Sequence, residues 1–231
     1  MMLNFSSLLI VLALQAATIP PENTPPVEQD IVIVGATKEY RLTAKQLRAA
    51  VRAFDKSRPA FAPQSRLWFE VSVAKGGSLE GVELALVNGI TRVPLTIGPD
   101  RRFIFPVLDG DDWRLVSTKP GVPLRIRPWV VSPGTTINDI RLGDLSVQCR
   151  VGWAIARQST SFIVEGMFDV LGGCSSSRLG IYWDFARPIA SATIEEGDKR
   201  APIAILQGNK LRLPTYLKDY TSEARVRIAF Q

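Results

Sequence analysis

Polar and apolar residues alternate strictly through RLWFEVSV: Leu67, Phe69, Val71 and Val73 fall on one side, Arg66, Trp68, Glu70 and Ser72 on the other. A period of two sends successive side chains to opposite faces of a strand, so the segment reads as a half-buried β-strand. GVELALV and ITRVPLTI carry the same signal on either side of Asn88-Gly89, a strong short hairpin turn. RFIFPV, DWRLVS and VPLRIRPWVV follow, separated by Gly98-Pro99-Asp100, Asp109-Gly110 and Lys119-Pro120-Gly121. Short strands at spacings of about ten residues are the grammar of a sandwich or barrel. Farther on, Leu145, Val147, Cys149, Val151, Trp153 and Ile155 alternate with Ser146, Gln148, Arg150 and Gly152, which predicts a strand with Cys149 on its buried face. SFIVEGMFDV, RLGIYWDF, IAIL, NKLRLP and ARVRIAF read as further strands, and Glu195-Glu196-Gly197-Asp198 as a hairpin loop.

One segment departs from this period. In LTAKQLRAAVRAFDKSRP, Leu47, Ala50, Val51 and Phe54 recur at helical spacing. Thr43 and Gln46 have the spacing of a capping box, and Pro59 is placed to stop the helix. Its basic face, Lys45, Arg48 and Arg52, reads as solvated surface. The predicted fold class is therefore all-β, mainly antiparallel and sandwich-like, with one N-terminal amphipathic helix. The predicted organisation is a signal peptide (1–17), a Pro-rich spacer (18–29), a strand, helix and first sandwich-like module (30–135) and a second β-rich module (136–231). VSPGTTIND, Val131 to Asp139, marks the boundary.

The first module also carries a resemblance. GVELALVNGITRVPLTIGPDRRFIFPVLDGDDWRLVS, residues 81–117, resembles carboxypeptidase-regulatory or prealbumin-like β-sandwich modules, with a Gly-Val-x-Leu strand, a hairpin, an acidic turn before an aromatic pair and an Asp/Gly turn before a last strand. It departs from them at Arg101-Arg102, where those modules usually have glycine before the Phe-x-Phe of Phe103 and Phe105. The resemblance implies an accessory binding or spacer domain without catalytic residues.

Composition narrows the chemistry. The 231-residue chain contains no histidine, which excludes Ser-His-Asp and Cys-His pairs and the usual zinc sites. No phosphate-binding glycine loop and no GxSxG elbow is present. Asp109, Asp111 and Asp112 in LDGDDW could in principle hold Ca²⁺ or act on a glycosidic bond, but they fail the EF-hand pattern and suit a tight turn between strands. No cofactor and no metal site is expected. Phe5–Ala17 is an uncharged apolar run of signal-peptide length ending in small residues, too short to span a bilayer. Pro20, Pro21, Pro25 and Pro26 then give an extended spacer. Export to an oxidising compartment predicts one structural disulfide between Cys149 and Cys174.

Charge adds one candidate site. The net charge is +6, and 20 of the 28 basic residues are arginine. LRIR, KLRL and ARVRI alternate basic with apolar residues, which turns Arg125, Arg127, Lys210, Arg212, Arg225 and Arg227 to solvent. If the three strands are neighbours, six cations share one face and suit an anionic envelope glycan or lipid headgroup. If they lie in different sheets, each pair solvates its own edge. An exported chain seldom meets nucleic acid, which is therefore not expected as a partner. The expected function is an exported, periplasmic or extracellular, non-enzymatic binding or structural accessory protein of a bacterial cell envelope, meeting a glycan, a headgroup or another envelope protein. A carboxylate-dependent glycan-active enzyme is the alternative from another class.

Overall fold

The computed structural model describes residues 34–35, 38–39, 43–73, 77–106, 108, 110, 112–119, 124–185 and 187–231; the apolar run, the Pro-rich spacer, Asp109 and Asp111 lie outside them. The described chain is mostly β-strand in antiparallel sheets, joined by a few helices.

Two residues each of β1 (Val34–Gly35) and β2 (Lys38–Glu39) pair antiparallel ahead of helix α1 (Ala44–Phe61). The α1 start is chemically defined. The Thr43 hydroxyl accepts the Gln46 N–H while the Gln46 side chain accepts the Thr43 N–H, so two otherwise unpaired donors are satisfied. Leu47, Ala50 and Phe54 are buried on one face, whereas Lys45, Arg52 and Asp55 are exposed. Pro59 does not stop the helix. The chain continues to Phe61, because the last turn is closed by the Ala62 N–H donating to the Arg58 carbonyl.

β3 (Arg66–Val73) and β8 (Leu124–Val131) pair along their whole length, from Arg66 opposite Val131 to Val73 opposite Leu124. β6 (Arg102–Phe103) adds to the other edge of β3. A second three-stranded sheet has β4 (Leu84–Asn88) between β5 (Thr91–Leu95) and β7 (Arg114–Ser117). Its hairpin closes through Gly89-Ile90, with Gly89 in the left-handed conformation that only glycine adopts at no cost. Phe69, Val71, Phe103 and Leu124 of one sheet meet Leu84, Leu86 and Leu115 of the other, with the apolar face of α1 against them.

The segment read as the strand of Cys149 is a helix instead, α2 (Leu142–Ala156). Its alternation has a different origin. Val147 and Val151 are buried in the first core, with Ile155 packed beside them. Leu142, Leu145 and Cys149 are buried in a second core. Each row keeps helical spacing of three or four, but the rows face opposite ways, and interleaved they mimic a period of two. A helix buried on both sides carries no amphipathic signature to read. SFIVEGMFDV also forms a helix, α3 (Phe162–Val170), where a strand was expected. A short apolar run rich in β-branched residues fits either state, and periodicity alone does not separate them.

The second core is closed by two antiparallel sheets. One runs in the order β12 (Lys199–Pro202), β11 (Ile189–Glu196), β15 (Arg225–Phe230), β9 (Asp139–Arg141). The other places β14 (Lys210–Arg212) between β10 (Tyr182–Asp184) and β13 (Ile205–Leu206). Ile194, Val226, Ile228, Leu211 and Trp183 point inward, and Trp129 of β8 joins them from the first half. Between residues 157 and 181 the chain makes an excursion that a disulfide closes: Cys149 of α2 is bonded to Cys174, with Cα atoms 5.9 Å apart. For a closed loop of this length the chain-entropy contribution is about 3 kcal/mol.

Candidate functional site

The outer face of α2 forms one wall of a cleft. Gln148, Cys149, Gly152, Trp153 and Ala156 face Arg127 and Pro128 of β8, Tyr182, Trp183 and Asp184 of β10, and Phe168 of α3, around a volume of about 380 Å³. Each wall is fixed by a specific contact. Phe168 stacks on Trp153 with ring centroids 3.9 Å apart, which, together with the disulfide, folds α3 back on α2. Trp183 meets Trp129 edge to face at 5.0 Å and stacks on Phe185 at 5.6 Å, so β10 is anchored by aromatic packing. Gln148 satisfies the free edge of β8: its Oε1 accepts the Val130 N–H at 2.6 Å and its Nε2 donates to the Pro128 carbonyl. Arg127 ties three strands together, donating from Nε to Glu70 at 2.8 Å and from Nη1 to the Asp184 carbonyl at 2.9 Å.

The cleft is consequently an aromatic slot with a few polar groups at fixed places. Arg127 and Gln148 are already engaged by the protein, and Asp184 is exposed. A larger hollow, about 630 Å³, lies beside β5 and β6, where Pro94, Pro99 and Pro106 line it together with Trp68, Arg102 and Ile104. The α2 cleft has convergent side chains from four elements, the usual construction of a binding site.

Asp139 is held low, first by its hydrogen bonds to Arg225. Asp144, in the first turn of α2, is buried and pushed up, although the Ser132 N–H at 2.9 Å and hydroxyl at 2.6 Å both donate to it. Glu196 is lowered by Thr221, and burial lowers Arg150, whose guanidinium lies 3.9 Å from the Phe61 ring centre. These groups all serve the scaffold. Among the described residues no three His, Cys, Asp or Glu side chains converge as a metal site would need.

The six basic candidates are not brought onto one face. Arg125 and Arg127 are on β8, Lys210 and Arg212 on β14, and Arg225 and Arg227 on β15, in three different sheets. Arg225 grips both carboxylate oxygens of Asp139 at 2.6 Å. Arg227 shares that carboxylate at 2.5 Å and reaches Glu195 at 3.7 Å. Arg212 donates to the Ser177 carbonyl at 2.8 Å and lies over the Tyr216 ring at 4.3 Å. Arg125 and Lys210 are both half-buried, and the Arg125 Nε has no hydrogen-bond partner among the described residues. Of the six, Arg127 alone lines the cleft. Reading strands one at a time misses the slot itself, because Trp153, Phe168 and Tyr182 come from three elements whose meeting depends on α2 and α3 being helices.

No protein-family model matches the chain, and neither a curated protein nor a solved structure matches it.

Proposed function

We propose that the protein is an exported, non-enzymatic binding or structural accessory protein of a bacterial cell envelope, and that it engages its partner through the α2 cleft. The observation that carries this reading is the cleft's construction: aromatic walls from α2, α3 and β10, with Arg127 and Gln148 already engaged by the protein. Such a slot suits an apolar or aromatic side chain presented by another envelope protein. Export is supported by the apolar run at Phe5–Ala17 and by the Cys149–Cys174 bond, which persists in an oxidising compartment. The two sheets that enclose the first core fit a sandwich-like module of the accessory kind. The glycan-active alternative needs two carboxylates facing one bond, and Asp184 is the one carboxylate among the lining residues.

The test places a photo-crosslinking amino acid at Tyr182, in the cleft, or at Ile90, on the distant β4–β5 turn, in the chain expressed in its own cells. Illumination should give one discrete adduct from position 182 and none from 90, and Trp153→Ala should abolish it. Equal labelling at the two positions, or an adduct indifferent to Trp153, would remove the cleft from consideration. Intact mass of the periplasmic species should begin near Thr18. A chain that keeps Met1 and stays with the membrane would count against export.

A further inference from the structure

Helix α3 buries none of its residues, although its sequence, FIVEGMFDV, is among the most apolar in the chain. Its inner side is accounted for: Phe168 stacks on Trp153, and Glu165 lies 3.8 Å from Arg157. The outer side is not. Phe162 and Val170 are 83% and 86% exposed, and Ile163 and Met167 are more than half exposed. At helical spacing these four residues share one face, with Gly166 among them. They present on the order of 500 Å² of contiguous apolar surface, in the upper half of the range for a monomer's largest patch, which is often functional.

Gly166 is the informative residue. Glycine inside a helix costs about 1 kcal/mol relative to alanine. Nothing among the described residues requires it: its φ is not positive, and a Cβ there would meet none of their atoms within 4 Å. What a glycine at the centre of an exposed apolar helix face permits is close approach by another backbone. Two further features choose the occupant. The charges on α3 are Glu165 and Asp169, with no Lys or Arg, which disfavours an anionic lipid surface. The N-cap residue, Ser161, makes no side-chain capping bond, and the acid of the first turn, Glu165, lies toward Arg157, so the positive end of the helix dipole can take a further carboxylate.

We propose that α3 is the contact helix of a two-fold homodimer in which the α3 helices of two copies cross antiparallel at Gly166. That symmetry sets Ile163 of each copy against Val170 of the other, brings the two Met167 side chains together, and places Asp169 of each copy beside the uncapped N-terminus of the other's α3. Large residues meet at the flanks, the glycines meet at the crossing, and each acidic end finds a positive one. The area removed from the two copies together is about 1,000 Å², the lower bound for a specific interface, so the association is a weak, concentration-dependent one. This surface is separate from the cleft, and its occupant does not depend on what the cleft holds.

Sedimentation equilibrium of the mature, disulfide-intact chain over a hundredfold concentration range should show a monomer–dimer equilibrium. Gly166→Leu improves helix propensity and fills open space, so it should leave the unfolding midpoint unchanged or higher while weakening the dimer at least tenfold. Met167→Cys should give a covalent dimer on oxidation, and Arg92→Cys, on the remote β5, should not. A monomer throughout, a dimer indifferent to Gly166→Leu, or equal crosslinking of the two cysteine variants would each overturn the proposal. So would a monomeric chain that sediments with phosphatidylglycerol vesicles through Phe162 and Val170.

Discussion

Arg101 holds a backbone conformation that its side chain disfavours, with φ at +62°. The reason is the loop it closes. The Arg101 N–H donates to the Gly98 carbonyl at 2.9 Å, and the Gly98 N–H then pairs with the Arg102 carbonyl at 2.7 Å. A tight turn of this form ends on a left-handed residue, the position where glycine is preferred. Arg101 thus occupies a position where a side chain costs strain. Arg101→Gly should raise stability by about 0.5–1 kcal/mol, since relief of a left-handed non-glycine residue outweighs the added freedom of the unfolded chain. A urea midpoint that falls would show that the Arg101 side chain contributes more than the turn loses. This residue was visible in the sequence as an anomaly, but its strain was not, because φ is set by the closed loop.

At the scale of elements, helix starts were easier to read than helix identities. The Thr43/Gln46 box is local chemistry, complete within four residues, and α1 begins where it sits. α2 has no such signal: its N-cap, Arg141, makes no side-chain capping bond, and its first N–H groups are taken by remote carbonyls, Leu142 by Ala224 at 2.8 Å and Gly143 by Ser222 at 2.9 Å. Those partners lie some eighty residues away, where no local pattern can announce them. The same crowding requires Gly143, since a Cβ there would overlap the Phe61 carbonyl oxygen and come within 3.0 Å of the Ser222 carbonyl oxygen. Gly143→Ala should cost about 2 kcal/mol or more, because backbone on both sides has to move. Gly152→Ala in the same helix meets nothing within 4 Å and should be neutral or stabilising by up to about 1 kcal/mol. Paired thermal melts decide it; equal effects at both positions would refute the close approach of α2 to the end of α1.

For the whole molecule, α2 is the member that both cores share. Val147 and Val151 belong to the first, Leu145 and Cys149 to the second, and Trp129 crosses in the other direction from β8. Loss of either core strips one face of α2 and so weakens the other, and the chain should unfold as one unit. Leu86→Ala, deep in the first core, should cost about 2–5 kcal/mol. The protection of the Ile194 and Val226 amides against hydrogen exchange, in the second half, should fall by the full global amount. Wild-type protection at those two amides would mean that the halves open independently.

The features legible from residue order were those made by neighbours in the chain: the period-two strands such as β3 and β8, the Thr43/Gln46 start of α1, and the single pairing open to two cysteines. Tertiary contact decided the rest. Strand periodicity tells which side of a strand is buried but not which strand lies beside it, so the basic strands could not be assigned to one sheet or three before their pairings were known. The α2 alternation is the clearest case, because two helical rows facing two cores and one strand facing one core leave the same spacing in the sequence. The cleft followed from that difference: only a helix there presents Gln148, Gly152 and Trp153 together toward β8 and β10.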